Sequence, residues 1–502
     1  MSVYDKTGIE DLGRRLTGAG CELISTGGTH RSLSDAGIAV RQVADVTGSP
    51  EILEGRVKTL HPTIHGGLLA RRDSAGHMAE LEQHGIDAID LVVVNLYPFA
   101  ATVSKPGVTL DDALENIDIG GPTMLRAAAK NFPSVAVVVD PADYDWVADA
   151  LADGELSIEQ RRGLAAKAFQ HVATYDAVVA DYLASDPASE DEMPEQVTIG
   201  LKRVSALRYG ENPHQRGALY VPASGGSGGL AQAQQLHGRE LSFNNLMDAD
   251  AAWRIVSEYT DPTVCVIKHA NPCGLASSDD VAEGYRRAYE GDPVSAFGGI
   301  VGYNRPVTAA AAEAMDPVFY EVVVAPGYDD DALAFLQRKR NLRILSVEPA
   351  VSGPGAADYD VRPLSGGVLV QTRDTIAEYP DQWTTATKRA PTSAELADLV
   401  FAWKAVKHIK SNAIAFVKDR TLVGMGAGQP NRVVSVHLSS GRRARSRLAA
   451  CWHRMLSSHS RITLSWRQKP VSRPSSSRAA PFGMMKSSRR RMQPALPWCS
   501  PV

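Results

Sequence analysis

The alternation of short apolar runs with amphipathic stretches is the feature that most constrains the fold of this chain. Between residues 5 and 140 the apolar runs lie at 21–25, 38–40, 91–95 and 135–139, with helix-like stretches at 29–36 and 123–130. Short buried strands that alternate with helices are typical of a parallel sheet with crossover helices. The pattern therefore predicts an α/β fold, although residues 1–8 offer almost no apolar run, so we expect a clipped first strand.

A second α/β region follows an acidic, proline-containing stretch that we interpret as a linker. The region resumes the alternation, with strands expected at 264–268 and 413–418 and helices at 282–289 and 394–410. The predicted organisation is a first domain at 1–184 (a core to about 140 plus a helical extension), a linker at 185–199, a second domain at 200–438 and a tail at 439–502.

Cysteine usage and hydropathy bear on the compartment and on metal binding. The five cysteines are few and scattered, which is typical of a reducing compartment rather than of a disulfide framework. The apolar runs are far shorter than the roughly 20 residues of a membrane span, and no signal segment is visible. We therefore expect a cytoplasmic protein with no membrane partner and no metal.

The formal net charge of −4 is the sum of two very different parts. Residues 433–502 contain 14 basic and no acidic side chains, so residues 1–432 carry a net charge of −18. A basic arm that binds nucleic acid is one interpretation of such a tail. The acidic body would repel a polyanion, which argues against a nucleic-acid partner.

A glycine pair in the first region has the features of an anion cradle. Thr26-Gly27-Gly28-Thr29 lies between a predicted strand and a predicted helix, where backbone N–H groups meet the positive end of a helix dipole. An ordinary turn has the same composition. Because ligands of open α/β sheets bind beyond the C-terminal ends of strands, we expect the polar loops at 55–62, 95–99 and 116–122 to converge on it.

The second region places a lysine, a histidine and an asparagine at the exit of a strand, at 268–271. Cys273 follows His269 by four residues, which raises the possibility of zinc, but a deaminase-type site needs a second cysteine close by and an acid beside the histidine. Neither is present. Proton transfer by a neutral imidazole is the better use of the motif, and a structural histidine is the alternative.

Nine strings in order along the chain resemble those of a known family. They are Ser-Thr-Gly-Gly-Thr at 25–29, Arg-Val-Lys-Thr-Leu-His-Pro at 56–62, Asn-Leu-Tyr-Pro-Phe at 95–99, Asn-Ile-Asp-Ile-Gly-Gly-Pro at 116–122, Arg-Tyr-Gly-Glu-Asn-Pro-His-Gln at 208–215, Lys-His-Ala-Asn-Pro-Cys-Gly at 268–274, Ser-Ala-Phe-Gly-Gly at 295–299, Lys-Ser-Asn-Ala-Ile at 410–414 and Gly-Ala-Gly-Gln at 426–429. The chain resembles, from about residue 2 to 438, the bifunctional purine biosynthesis enzymes that join AICAR formyltransferase to IMP cyclohydrolase.

For the first domain the resemblance implies a methylglyoxal-synthase-like, doubly wound parallel sheet that closes the ring of formyl-AICAR to IMP with loss of water. It implies proton transfer by Lys130. It also implies a nucleotide site, to which Lys58, Tyr97 and Asp118 add catalytic groups and whose other members are Lys6, Thr26, Gly27, Gly28, Thr29, Arg56 and Thr59. Tyr4 departs from the small hydroxyl residue usual in the family, near the expected phosphate site.

For the second domain the resemblance implies a deaminase-like transformylase without zinc, which moves a formyl group from 10-formyltetrahydrofolate to the 5-amino group of AICAR. His269 is the implied proton acceptor, and Lys268 and Asn412 assist at the reacting centre. The implied AICAR contacts are Arg208, Tyr209, Gly298, Glu321 and Arg432. The family's sites form across a homodimer, so a homodimer is expected.

The resemblance stops after Leu438, where the family's Ser-Asp-Ala-Phe-Phe-Pro-Phe motif is missing. If codons are chosen for residues 450–461 and read from the third base, the translation becomes Val-Leu-Ala-Ser-Asp-Ala-Phe-Phe-Pro-Phe-Pro. A second family-like stretch emerges from 483 onward in the same frame. We therefore interpret the tail as out-of-frame translation and expect an impaired, poorly stable transformylase. Alternatives are a cyclohydrolase-only enzyme or a non-catalytic protein that binds a phosphate ligand.

Overall fold

The computed structural model describes residues 1–184, 193–352, 359–374, 380–385 and 388–440, together with the backbone of three short strands beyond them. The predicted linker lies partly outside these residues, and the predicted tail lies almost wholly outside them. The chain divides into two compact units: residues 1–202 with 221–226 and 352–359, and residues 203–220 with 227–351 and 360–502.

In the part of the chain that the structure describes, the first unit contains five short strands and ten α-helices. The strands are β1 (Ser2–Val3), β2 (Ile24–Ser25), β3 (Arg41–Gln42), β4 (Leu91–Asn95) and β5 (Ala136–Val138). The helices are α1 (Ile9–Gly18), α2 (Gly27–Asp35), α3 (Val43–Thr47), α4 (Pro62–Leu69), α5 (Ala75–Gln83), α6 (Phe99–Val103), α7 (Leu110–Glu115), α8 (Gly120–Lys130), α9 (Tyr144–Ala152) and α10 (Ile158–Ala184).

All strand pairs of this unit are parallel, as the alternating pattern predicts. One sheet has the order β1-β4-β5, and β2 pairs with β3 separately. The central strand β4 is apolar except for its last residue because both of its faces are covered. Val93 and Leu125 of α8 are both fully buried in one core. The first strand is short, as expected, but it still pairs with β4.

The second unit contains a ten-stranded mixed sheet in which antiparallel pairs outnumber parallel ones. Bounds of its strands and of the remaining short ones are β6 (Leu201–Leu207), β7 (Gly217–Pro222), β8 (Gly226–Ser227), β9 (Gln234–His237), β10 (Thr263–Lys268), β11 (Asn271–Ser277), β12 (Gly299–Tyr303), β13 (Tyr320–Ala325), β14 (Arg343–Ser346), β15 (Val351–Ser352), β16 (Tyr359–Leu364), β17 (Gly367–Thr372), β18 (Thr384–Thr385), β19 (Ile414–Lys418), β20 (Thr421–Gly426), β21 (Cys451–Arg454), β22 (Thr463–Trp466) and β23 (Cys499–Ser500). The sheet order is β22-β21-β19-β20-β11-β10-β12-β13-β14-β9.

Seven α-helices among the described residues accompany this sheet: α11 (Phe243–Ser257), α12 (Val281–Tyr289), α13 (Pro293–Ala296), α14 (Ala309–Met315), α15 (Asp330–Leu336), α16 (Ser393–Lys407) and α17 (Arg432–Ser439). Capping boxes begin α11 at Ser242 and α16 at Thr392, where the side chains satisfy backbone N–H groups that a helix start leaves free. Two apolar cores are present, one containing residues of α11 and α16 and the other residues of α12, α14 and α15.

Most predicted elements coincide with observed ones, and the exceptions lie in the first unit. The apolar run at 38–40 is not a strand, since the strand there is the polar pair Arg41–Gln42, and the run at 21–25 is a strand only over its last two residues. Both belong to a two-residue parallel pair, which is too short to impose an apolar pattern on its own residues.

Candidate active sites

The polar loops of the first unit surround one cavity of about 550 Å³. It opens beyond the C-terminal ends of β1, β2 and β4, which confirms that the predicted loops converge there. Of the predicted residues, the lining includes Lys6, Thr26, Gly27, Gly28, Thr29, Arg56, Lys58, Thr59, Tyr97 and Asp118. Residues far apart in sequence therefore form a single site.

One wall of the cavity is the start of α2, with two cations beside it. Gly27 has a φ of +53°, and a Cβ atom there would lie 3.3 Å from Lys58 Nζ. A Cβ atom on Gly28 would lie 3.6 Å from Lys6 Nζ. Backbone N–H groups at a helix start and two ammonium groups form a suitable environment for a phosphate.

The opposite wall carries a carboxylate and a phenol. Asp118 Oδ1 accepts a hydrogen bond from Gly121 N (2.8 Å). Burial raises the pKa of Asp118, although backbone hydrogen bonds and Lys58 counteract the rise. Burial and the nearby Asp118 also raise the pKa of Tyr97. At neutral pH, Tyr97 is therefore a proton donor and Asp118 a carboxylate with an increased affinity for protons.

Some of the predicted residues also stabilise the cavity wall. The buried Thr29 hydroxyl hydrogen-bonds to both the N–H and the carbonyl of Val3, each at 3.0 Å, and so fixes β1 against α2. Arg56 forms an ion pair with Glu115. A Cβ atom on Gly120 would lie 2.6 Å from Thr59 Oγ1, so glycine is required for the close approach of that hydroxyl.

Lys130 does not line this cavity. It is the last residue of α8, whereas the cavity includes Gly120 at the first, and ten residues of α-helix separate the two by about 15 Å. Lys130 instead lines a different hollow with His65, Arg126 and Arg162. The proton-transfer role implied by the resemblance stays a prediction, and the position of Lys130 within one chain does not bring it to Asp118.

In the second unit, strand register places most of the predicted residues at one edge of the large sheet. Lys268 ends β10, opposite Asn271 at the start of β11, and Ile267 pairs with Ile300, just after Gly298 and Gly299. Gly299 pairs in turn with Tyr320, next to Glu321. On the other side of β11, strands β20 and β19 continue the antiparallel ladder, and Ile414 pairs with Gly426. Asn412 lies two residues before β19 begins, so it reaches the same edge.

The Lys268–His269 segment is a tight hairpin turn. His269 and Ala270 have φ of +51° and +56°, as the two central residues of a type I′ turn require. Lys268 Nζ donates to the carbonyl oxygens of Phe297 (2.9 Å) and Gly298 (2.8 Å). The turn leaves the imidazole of His269 exposed at the sheet edge beside an anchored ammonium group.

The other predicted residues flank this turn. Glu321 pairs with Arg343 (2.7 Å). Asn412 Nδ2 donates to Gln429 O (2.9 Å) and Pro430 O (3.2 Å), two residues before Arg432 begins α17.

Arg208 and Tyr209 follow β6, with the guanidinium 5.1 Å from the ring centroid. Helix α11 connects their loop to the hairpin turn, because Asn244 Nδ2 donates to Glu211 O (3.4 Å) and Asp248 Oδ1 accepts from Ala270 N (2.7 Å).

The loops are held together by side chains to which the sequence motifs assigned no role. Asn95 Oδ1 accepts hydrogen bonds from Tyr4 N (2.6 Å) and Asp5 N (2.9 Å), so it ties the end of β4 to the end of β1. Its place as the polar last residue of an otherwise apolar strand was the available signal. Tyr175 of α10 contacts the Asp118 loop, and no local motif indicates this.

The part of the chain that the structure describes holds neither a cluster of metal ligands nor a membrane-spanning helix. No group of three or more His, Cys, Asp or Glu residues there could hold a metal ion. Within the same residues, no helix is both long and apolar enough to cross a membrane.

Known proteins are similar to this chain over most of its length. A family model described as the AICARFT/IMPCHase bienzyme matches residues 128–442, and a model of the MGS-like domain matches residues 8–123. The second match confirms the predicted methylglyoxal-synthase-like fold.

The bifunctional purine biosynthesis protein PurH of Bacillus mycoides (strain KBAB4) is 50% identical over 440 residues, covering 88% of this chain and 85% of the relative. PurH of Streptococcus pyogenes serotype M2 (strain MGAS10270) is 50% identical over 442 residues, with the same coverage. A solved structure described as "Crystal structure of ForH" is 43% identical over 36% of this chain and 95% of its own, with a TM-score of 0.33.

The bienzyme family model matches more than half of the chain. The two PurH relatives align with more than two thirds of the chain, and about half of the aligned residues are identical. The predicted resemblance is thereby confirmed. The chain belongs to the AICARFT/IMPCHase bienzyme family, whose members join AICAR formyltransferase to IMP cyclohydrolase in purine biosynthesis.

Proposed function

We propose that the cavity of the first unit closes the ring of formyl-AICAR to give IMP. The observation that carries this proposal is the presence, around one cavity, of an anion cradle and of groups able to polarise an oxygen and move protons. A nucleotide substrate needs the first, and dehydrative ring closure needs the second.

The chemistry assigns a task to each wall. The carboxamide nitrogen bonds to the formyl carbon, that nitrogen and the formamide nitrogen each lose one proton, and the formyl oxygen takes up both and leaves as water. Lys58 stabilises negative charge on the formyl oxygen, Tyr97 donates a proton and Asp118 accepts one. The start of α2 and Lys6 hold the phosphate, which fixes the reacting groups in place.

Substitutions on the two walls test this assignment. Lys58→Met and Asp118→Asn should each lower kcat for conversion of formyl-AICAR to IMP by about 10²- to 10³-fold, because each removes a group that acts on developing charge or a moving proton. Lys105→Met, an exposed lysine that does not line the cavity, is the matched control and should leave kcat unchanged. Equal activity of all three variants would contradict the assignment.

The sheet edge of the second unit is the proposed site of formyl transfer from 10-formyltetrahydrofolate to AICAR. The amino nitrogen of AICAR bonds to the formyl carbon and loses one proton, which His269 accepts. The bond from that carbon to the folate nitrogen breaks, and this nitrogen takes up one proton as tetrahydrofolate leaves. Lys268 and Asn412 assist by stabilising the oxyanion that forms during transfer. Arg208, Tyr209, Gly298, Glu321 and Arg432 contact AICAR.

For this particular chain we propose that formyl transfer is impaired. The family match ends at residue 442, and the sequence beyond lacks the motif that the resemblance assigns to the formyl-donor site. AICAR binding and formyl transfer should therefore separate: calorimetry should detect AICAR binding that Arg432→Ala weakens, while an assay with 10-formyltetrahydrofolate detects no product. Full formyl transfer by this chain would refute the impairment.

The assembly and location are proposed on narrower grounds. The homodimer is what the family resemblance implies, and sedimentation analysis tests it. A cytoplasmic location is supported by the three cysteines of the described residues, all of which are free thiols.

A further inference from the structure

Tyr175 of α10 contacts the two loops that carry the proposed proton-transfer groups of the ring-closing site. Its hydroxyl accepts a hydrogen bond from Asp118 N (2.8 Å) and donates one to Asn116 O (3.3 Å). Its ring packs edge-on against Phe99, with 6.3 Å between centroids. Phe99 lies two residues after Tyr97, so one side chain supports both catalytic loops.

The hydrogen bonds of Tyr175 hold the backbone segment from which the Asp118 carboxylate projects. The backbone conformation at Asp118 sets the direction of its side chain, and the carboxylate accepts a hydrogen bond from Gly121 N. A Cβ atom on Gly121 would lie 2.7 Å from Asp118 Oδ2, which shows how closely the carboxylate is confined. A small shift of the 116–119 backbone would therefore displace the carboxylate relative to Tyr97.

We infer that Tyr175 is a positioning residue for ring closure, which fixes Asp118 against Tyr97 through a hydrogen-bond pair to the Asn116–Asp118 backbone. The inference rests on the proposed function of this cavity. Tyr175 does not line the cavity and so touches no substrate atom. It lies beyond the residues matched by the MGS-like domain, so the helical extension contributes to the chemistry of the first domain.

Tyr175→Phe isolates the hydroxyl, because the ring and its packing on Phe99 stay. Loss of the acceptor leaves Asp118 N without its partner, and we expect kcat for ring closure to fall about tenfold while KM changes less than about twofold. Tyr182→Phe is the matched control: Tyr182 also packs on Phe99 (5.5 Å) from the same helix, and no hydrogen bond to its hydroxyl occurs among the described residues. It should leave both constants unchanged.

A double-mutant cycle separates positioning from general stability. In the Asp118→Asn background, Tyr175→Phe should lower kcat no further, because the residue that it positions no longer transfers a proton. A tenfold fall in both backgrounds, a fall matched by Tyr182→Phe, or a joint change in KM and melting temperature would overturn the inference. If Asp118→Asn itself retains full activity, the proposed function of the cavity fails instead, which is a distinguishable result.

Discussion

At the scale of single residues, the ring-closing site depends on a glycine pair whose two members have different constraints. Gly27 has a positive φ and Lys58 Nζ close to where a Cβ would lie, whereas Gly28 has an ordinary φ and a looser contact with Lys6. The motif predicted a cradle from the sequence, but the distinction between its two glycines depends on backbone geometry and on lysines brought from elsewhere in the chain.

Alanine substitutions at the two glycines should therefore have different effects on the KM for formyl-AICAR. Gly27→Ala forces a left-handed conformation on a residue with a Cβ, which costs about 1 to 2 kcal/mol, and it crowds Lys58. We expect a KM for formyl-AICAR raised about tenfold, since distortion weakens the phosphate cradle. Gly28→Ala keeps its N–H donor and should stay within about twofold of the parent. Steady-state kinetics of both variants check this, and equal effects would contradict it.

The raised pKa of Asp118 gives ring closure a specific pH dependence. Because burial raises this pKa above the ordinary value of 3.8, and the carboxylate is the form that accepts a proton, kcat should fall as the pH is lowered through that raised pKa. The acidic limb of the profile should therefore lie above pH 3.8. In Asp118→Asn, the remaining activity should lack this limb, and a limb that persists unchanged would assign it to another group.

At the scale of elements, helix and strand positions in the second unit were largely predictable, and their pairing was not. The apolar run before Lys268 and the amphipathic stretch of α16 coincide with observed elements. The antiparallel hairpin formed by β10 and β11 was missed, because its turn is His269-Ala270 rather than a glycine-containing pair. Sheet order likewise depends on contacts between distant segments, which periodicity does not report.

The ends of α11 and α16 are joined by partly buried charges. Glu258 at the end of α11 pairs with Lys407 (2.9 Å) and His408 (3.2 Å) at the end of α16. Burial opposes ionisation of Glu258, but the hydrogen bonds and charges of these partners prevail and lower its pKa to about 2. The folded state therefore binds the proton less tightly than the unfolded state does, for which the ordinary value is 4.5.

This difference predicts how Glu258→Gln affects stability. A carboxyl group whose pKa is depressed on folding stabilises the protein above its unfolded-state pKa, and the contribution is lost as the pH falls through the folded-state value. At pH 7 the variant should lose about 2 kcal/mol of unfolding free energy. The deficit should shrink between pH 5 and pH 2, as measured by urea unfolding followed by tryptophan fluorescence. A deficit independent of pH would contradict the assignment.

At the scale of the whole molecule, the chain combines an acidic body with a basic tail that lies almost wholly beyond the family match. The match ends at residue 442. Residues 433–502 contain 14 basic side chains and no acidic one. The backbone of β21 pairs with β19 at the sheet that carries the proposed transformylase residues. The tail therefore follows directly on the second site in the chain, whereas the residues of the ring-closing cavity all precede residue 125.

Restoring the reading frame should change the two activities differently. A chain whose coding DNA after codon 440 is shifted to the frame that gives Ser-Asp-Ala-Phe-Phe-Pro-Phe should transfer formyl groups to AICAR, because it regains the motif assigned to the donor site. The parent chain should not, and a version that stops after Ser440 should behave like the parent. All three should convert formyl-AICAR to IMP at similar rates, since no residue of that cavity changes. Sequencing of the source DNA across codons 430 to 502 shows whether a single-base insertion or deletion is present. If the parent chain transfers formyl groups as fast as the shifted chain, the prediction fails and the tail is functional as it stands.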